Sequence, residues 1–173
     1  MANTHSFVIR TLEDWQDDSI NCAGVAAVDL DNGQFVTRGA LGLTSTGGYE
    51  FTCSKPAANA TALWLVETPP VGDTLDEQIH DDPRYFYNKA GKAFSIKGMR
   101  PEFSFIEVPD SAFSTAPTAA NPEGFASVDT NGRLVAAASA PVSGTYFTIE
   151  AKHSVEIGME VVPTWILKCA RNK

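Results

Sequence analysis

Positive charge, cysteine, helical patterning and long apolar runs are all scarce in this 173-residue chain. Thirteen Lys and Arg stand against 21 Asp and Glu, for a net charge of −8. Neutralising phosphates takes a basic face, so no nucleic-acid partner is expected. An anionic membrane surface is disfavoured for the same reason. No run of about 20 apolar residues is present to form a spanning helix. The first residues, Met1-Ala-Asn-Thr-His5-Ser6, carry neither a charged n-region nor an apolar h-region. No secretory signal is therefore expected, and the chain should act without passing through the general secretory route.

The three cysteines, Cys22, Cys53 and Cys169, are odd in number, far apart and form no CxxC pair. No zinc site is expected. Reduced, partly buried thiols are the favoured reading. Cys53 and Cys169 each fall near a strand end, which leaves one disulfide between them open. Chemical signatures are missing as well. There is no GxSxG elbow, no HExxH and no kinase-like set. Gly39, Gly42, Gly47 and Gly48 lie between strand-like segments with no helix to follow, so they form no phosphate cradle. The expectation is a protein with no catalytic residues, no metal and no cofactor.

What the chain does have is turns. A hairpin-like signal occurs twice, one hundred residues apart: Gly24 to Val36 and Gly124 to Val135. Gly, Ala, Val and Asp recur at 24/124, 26/126, 28/128 and 29/129, and after a one-residue slip Asn32-Gly33 falls over Asn131-Gly132. Asn-Gly suits a type I′ turn, whose central residues both need φ > 0. The copies end in similar strands, Leu63 to Val66 and Thr164 to Leu167. Either a duplication or a chance recurrence of small residues around two turns accounts for this. Asp29 and Asp129 are read as acceptors of backbone N–H groups near their turns.

Along the chain, residues 1–21 read as an acidic N-terminal arm, with Phe7-Val8-Ile9 as an edge strand and Trp15 as an aromatic anchor among Asp14, Asp17 and Asp18. Residues 22–70 form a first β-unit. Its hairpin spans 22–38, a Gly-rich loop follows at 39–48, and strands cover Tyr49–Ser54 and Ala62–Glu67. Residues 71–115 form a middle β-hairpin segment, in which Tyr85-Phe86-Tyr87 and Ala93–Ile96 flank a turn and Glu102–Val108 alternates as a strand. Residues 109–122, with three prolines, read as a linker. Residues 116–173 form a second β-unit that can merge with the first. Thr74–Ile79 offers one helical turn, too short to stand alone. Ten prolines, thirteen glycines and closely spaced turns predict an all-β fold. The expected architecture is two related barrel- or sandwich-like units joined by a β-rich middle segment.

The acidic stretch Asp73, Asp76, Glu77, His80, Asp81, Asp82 reads first as a solvated loop. It lacks EF-hand spacing. A cation site, or a base-and-orienter pair at His80-Asp81, is a lesser reading. His5, His80 and His153 are isolated from one another. Trp64 and Trp165 read as core residues. Trp15, Tyr85, Phe86 and Tyr87 are the better candidates for contact with a partner.

Taken together, the chain resembles bacteriophage head decoration, or capsid cement, proteins. The likeness rests on a short all-β chain without catalytic motifs, on the Gly-x-Ala-x-Val-Asp…Asn-Gly hairpin at 24–36 and 124–135, and on the stretch Tyr85–Met99 followed by Phe103–Phe113. It implies a non-enzymatic virion protein, made in the host cytoplasm and placed on the capsid exterior. Its partners would be the major capsid protein and, in a homo-oligomer, itself. The capsid-binding residues so implied are Phe7, Val8, Ile9, Trp15, Tyr85, Phe86 and Tyr87, with strand addition by the arm as the attachment mode. A tail or fibre module that binds host-surface glycan is the alternative.

Overall fold

The fold comes from a computed structural model, which describes residues 5–11, 21–43, 48–70, 83–118 and 124–171. It is all-β, in two units. Strands β2 (Asn21–Ala26), β3 (Phe35–Leu43), β4 (Tyr49–Ser54), β5 (Trp64–Val66) and β6 (Ala93–Gly98) close a five-stranded barrel in the order β2-β4-β3-β5-β6. The remaining strands are β1 (Arg10–Thr11), β7 (Phe105–Pro109), β8 (Phe113–Thr115), β9 (Gly124–Val128), β10 (Leu134–Ala137), β11 (Thr145–Ile157) and β12 (Glu160–Arg171). They form a seven-stranded sheet in the order β1-β7-β12-β11-β9-β10-β8.

Strand alternation joins the two units. Adjacent residues on a strand face opposite ways. Val36 and Val66 point into the barrel with Ala26, Leu30, Cys53, Phe94 and Ile96. Their neighbours Phe35 and Leu65 point out of it, into a core shared with Ile106, Val108, Leu134, Phe147, Trp165 and Leu167 of the sheet. The Phe35 and Phe147 rings lie 5.1 Å apart. Fully burying such side chains stabilises by about 1.5–3 kcal/mol each. The barrel wall is therefore also one face of the sheet's core.

The two Asn-Gly turns behave differently. The second closes a true hairpin, with Val128 opposite Leu134. The first does not: β2 pairs with β4 and β6, and β3 with β4 and β5. Between β2 and β3 the chain dips so that Leu30, 2% exposed, enters the barrel core and bridges to Asn88. The expected hairpin at 22–38 is thus corrected.

Other boundaries move too. Residues 83–87 are not a strand, so Ala93–Gly98 pairs with β2 and β5 rather than with Tyr85–Tyr87. The strand expected from Glu102 begins at Phe105, because residues 101–103 turn with Glu102 at φ 70°. The supposed linker holds a 3-10 turn at Asp110–Ala112 and strand β8, with Ala112 and Phe113 buried. In the middle segment, β6 completes the barrel while β7 and β8 belong to the sheet. Val155–Ile157 end β11, and Glu160 opens the single strand β12 after the turn at Gly158-Met159. Gly158, at φ 64°, supplies the positive φ that this two-residue turn needs. All three cysteines are free. Cys53 and Cys169 lie in different core clusters. Burial pushes the Cys53 thiol up from its ordinary pKa.

Candidate interaction surface

Two strand pairs outrun the sheets that support them. The first is β3–β4. On one flank β3 pairs with β5 only at Phe35 and Val36. On the other, β4 pairs with β2 only from Phe51 to Cys53. Leu41 lies opposite Phe51, at the limit of β2's reach, and beyond it Leu43 lies opposite Tyr49. Directly opposed residues share a face, so these four side chains make one apolar stripe. Leu41, Leu43 and Tyr49 are 54%, 67% and 69% exposed.

The base of this ribbon is fixed by its own chemistry. The ladder shifts register between Arg38 and Leu41. At that shift a Cβ on Gly39 would sit 2.6 Å from Thr52 Oγ1, so the residue there must be small. Thr52 Oγ1 donates to the Ala40 carbonyl at 3.3 Å. The Arg38 guanidinium lies 4.4 Å from the Phe51 ring and 4.2 Å from the Trp64 ring, in cation–π range of both. Trp64 is thereby covered by a cation.

The second ribbon is the far half of β11–β12. The described part of β9 begins at Gly124, opposite Ile149, and β7 stops at Pro109, opposite Thr164. From Ala151 to Pro163 the two strands have only each other among the described strands. Val155 faces Val162, while Met159 and Val161 are exposed. At the foot lies Glu107, a carboxylate with 0% exposure. Its Oε1 accepts from Thr164 Oγ1 at 2.7 Å and is 2.8 Å from His153 Nδ1. A buried carboxylate is tolerated only when hydrogen-bonded in this way, and the bonds tie the foot of the ribbon to β7. Arg84 pairs with Glu160 near the tip.

The residues singled out from sequence fare unevenly. Phe7 is 1% exposed. Ser6 Oγ donates to the Asn32 carbonyl at 2.6 Å, and the Ile9 amide donates to Glu107 O at 2.8 Å. Arg10 and Thr11 pair with β7. Residues 5–11 are therefore built into the fold rather than held out as an arm, with the Phe7 side chain in its core. Val8 and Ile9 are half-buried. Tyr85 is exposed and Phe86 half-buried. Half-buried Tyr87 stacks on His5 at 5.1 Å, and His5 Nδ1 lies 2.7 Å from Asp31 Oδ1. Trp165 is core, with Nε1 donating to Asp110 Oδ1 at 2.6 Å. Trp15 and the acidic stretch 73–82 lie outside the described residues.

Sequence reasoning missed Leu41, Leu43, Tyr49, Met159 and Val161. The signal was parity: Leu41 and Leu43 on one side of a polar loop and Tyr49 and Phe51 on the other alternate in step, as a ribbon does. Residues 39–43, expected as part of a Gly-rich loop, are strand.

Two further features complete the surface. An open cleft of about 340 Å³ lies between the barrel and the second hairpin, lined by Asn59, Ser127, Asp129, Thr130, Ser143 and Thr145 among others. Its one carboxylate, Asp129, already accepts from the Asn131 and Arg133 amides at 2.8 and 2.9 Å. Among the described residues, no three His, Cys, Asp or Glu side chains gather in a group able to hold a metal ion. No protein-family model matches the chain, and no curated protein or solved structure is significantly similar to it.

Proposed function

We propose that this is a non-enzymatic structural protein of a virion, which binds the outer surface of an assembled phage capsid and reinforces contacts between the major capsid subunits. The observation that carries the reading is the β3–β4 ribbon, where Leu41, Leu43 and Tyr49 stand in solvent on a projecting, internally braced strand pair. Apolar side chains grouped this way mark interaction sites. A tyrosine flanked by two leucines supplies an anchor of the kind that dominates binding energy. In the rest of the molecule the barrel wall also lines the sheet's core, which suits a rigid brace. A ligand that binds only the assembled shell stabilises it by mass action. The net charge of −8 favours a basic patch on the shell as the receiving surface. Attachment by the ribbon replaces attachment by the N-terminal segment.

The test is binding to shells assembled without the protein. The wild-type chain should co-sediment near the stoichiometry of the shell subunit and raise the temperature at which the particle breaks open. Leu43→Asp with Tyr49→Asp should cut occupancy about tenfold or more, since losing one anchor costs at least ~2 kcal/mol. Equal occupancy for that variant would remove the ribbon from the interface. No binding by the wild-type chain would end the capsid reading.

The glycan-binding alternative draws less support. It needs aromatic rings gathered on one β-face, but Trp64 lies under Arg38, Trp165 is 2% exposed, and the exposed Tyr49, Tyr85 and Phe103 stand on β4 and on two separate turns.

A further inference from the structure

The β11–β12 ribbon has two long edges, and they are not equivalent. On the β12 side the neighbouring strand ends at Pro109, and the next residue along the open edge is Pro163. Proline has no N–H to give, and edge strands use it to refuse further pairing. Among the described residues the β11 side has no such guard. Past Ile149, which lies opposite Gly124 where the described part of β9 begins, residues Ala151 to Ile157 run as Ala-Lys-His-Ser-Val-Glu-Ile, with no proline or glycine. Lys152, His153, Ser154 and Glu156 are exposed.

That segment is complementary to itself. Laid antiparallel against a copy about a two-fold axis at Ser154, it sets Lys152 opposite Glu156 of the copy, and Glu156 opposite the copy's Lys152. On the other face Ala151 meets Ile157 and His153 meets Val155. Opposite charges directly across a strand pair stabilise it, and like charges destabilise it. A shift of register by one residue loses both ion pairs and moves the apolar residues to the wrong face.

We propose that the β11 edge is a homotypic contact, at which a second copy of this chain adds its own β11 antiparallel, centred on Ser154. The inference rests on strand register and charge, and stands whether or not the capsid reading does. A seven-residue edge buries little surface, so the free dimer is weak. Between copies held side by side on a larger assembly, the same contact is strengthened by effective concentration.

Sedimentation equilibrium of the full chain, from micromolar to about 1 mM, reads the free dimer directly. A reversible dimer is expected. Lys152→Glu and Glu156→Lys should each weaken it about tenfold or more, because each places two like-charged pairs in one dimer. The double swap, K152E with E156K, should restore it. In a Cys22→Ser background, Ser154→Cys should form an intermolecular disulfide on mild oxidation. Directly opposed residues lie about 4.5–5.5 Å apart between Cα atoms, within disulfide reach. Glu156→Cys should not cross-link, since its own copy lies several residues away. A chain that stays monomeric with no cross-link at 154 overturns the proposal. Single reversals that dimerise like wild type, a double swap that fails to restore, or cross-linking at 156 in place of 154 overturn it equally.

Discussion

Asn32-Gly33 and Asn131-Gly132 are the same local signal with two different results. At the second, everything needed is local. Asp129 Oδ1 accepts the amides of Asn131 and Arg133, Gly132 takes φ 80°, and the flanking strands pair at once. At the first, Gly33 takes a similar φ of 85°, yet the flanking strands go to other partners. Its polar groups reach outward. Asn32, buried, donates from Nδ2 to the Thr68 carbonyl at 2.8 Å and accepts the Thr68 amide on Oδ1 at 3.0 Å. Asp29 Oδ1 accepts the Ala90 amide at 2.8 Å, and Asp31 accepts the Ser6 amide at 3.2 Å. The sequences differ here by one inserted residue and by Leu30 where the second copy has exposed Thr130. A leucine buried in a barrel is worth about 1.5–3 kcal/mol, while one neutral hydrogen bond nets about 1. The tertiary term wins, and the turn becomes a corner of the barrel.

The largest break in that comparison should come from Leu30→Ala. It removes the side chain that draws the corner inward, leaves a cavity between Val36, Val66 and Ile96, and should cost about 2–5 kcal/mol in urea unfolding. Thr130→Ala, at the matching exposed place, should cost well under 1. Equal losses at the two sites would show that burial of Leu30 does not direct the corner.

Gly132→Ala against Gly33→Ala comes next. Both glycines have positive φ, so each alanine costs about 1–2 kcal/mol from conformation. Only at 132 would the new Cβ strike backbone, 2.3 Å from the Phe35 carbonyl, against 3.4 Å from the Phe7 carbonyl at 33. There the second turn docks on the first unit, with the Phe35 amide donating to Gly132 O at 2.7 Å. Gly132→Ala should therefore be the worse of the two and should still unfold in one transition, since Phe35 belongs to the shared core. A separate early transition would mean the units are energetically independent.

The same contrast explains what was legible in the sequence. Turn residues act locally, so Asn131-Gly132 and the strands beside it could be read directly. So could the buried run at Leu65-Val66 and the core fate of Trp165. Pairing partners act at a distance. Nothing near Leu30 announces Asn88 as its neighbour, and nothing in Glu102–Val108 says that Glu107 will be buried whole against Thr164 and His153. The candidate surface was hidden for a related reason. Leu41, Leu43, Tyr49 and Phe51 alternate as a core-facing strand does. Only the early end of β5 and the partial reach of β2 leave that face open to solvent.

The finest test exchanges roles between two matched carboxylates. Asp129 holds its own turn, whereas Asp29 holds a distant loop at Ala90. Asp129→Ala strips two backbone amides of their acceptor and should cost about 1–2 kcal/mol. Because the turn it closes is local, the loss should appear in amide exchange at Asn131 and Arg133 and leave the barrel unchanged. Asp29→Ala should cost about 1 kcal/mol or less, because its one bond is exposed, and should speed exchange at Ala90, some sixty residues away. Faster exchange at Asn32 and Gln34 after Asp29→Ala would mean that the first Asp also braces its own turn. The two copies would then be alike in mechanism as well as in letters, and the explanation built on Leu30 would lose its footing.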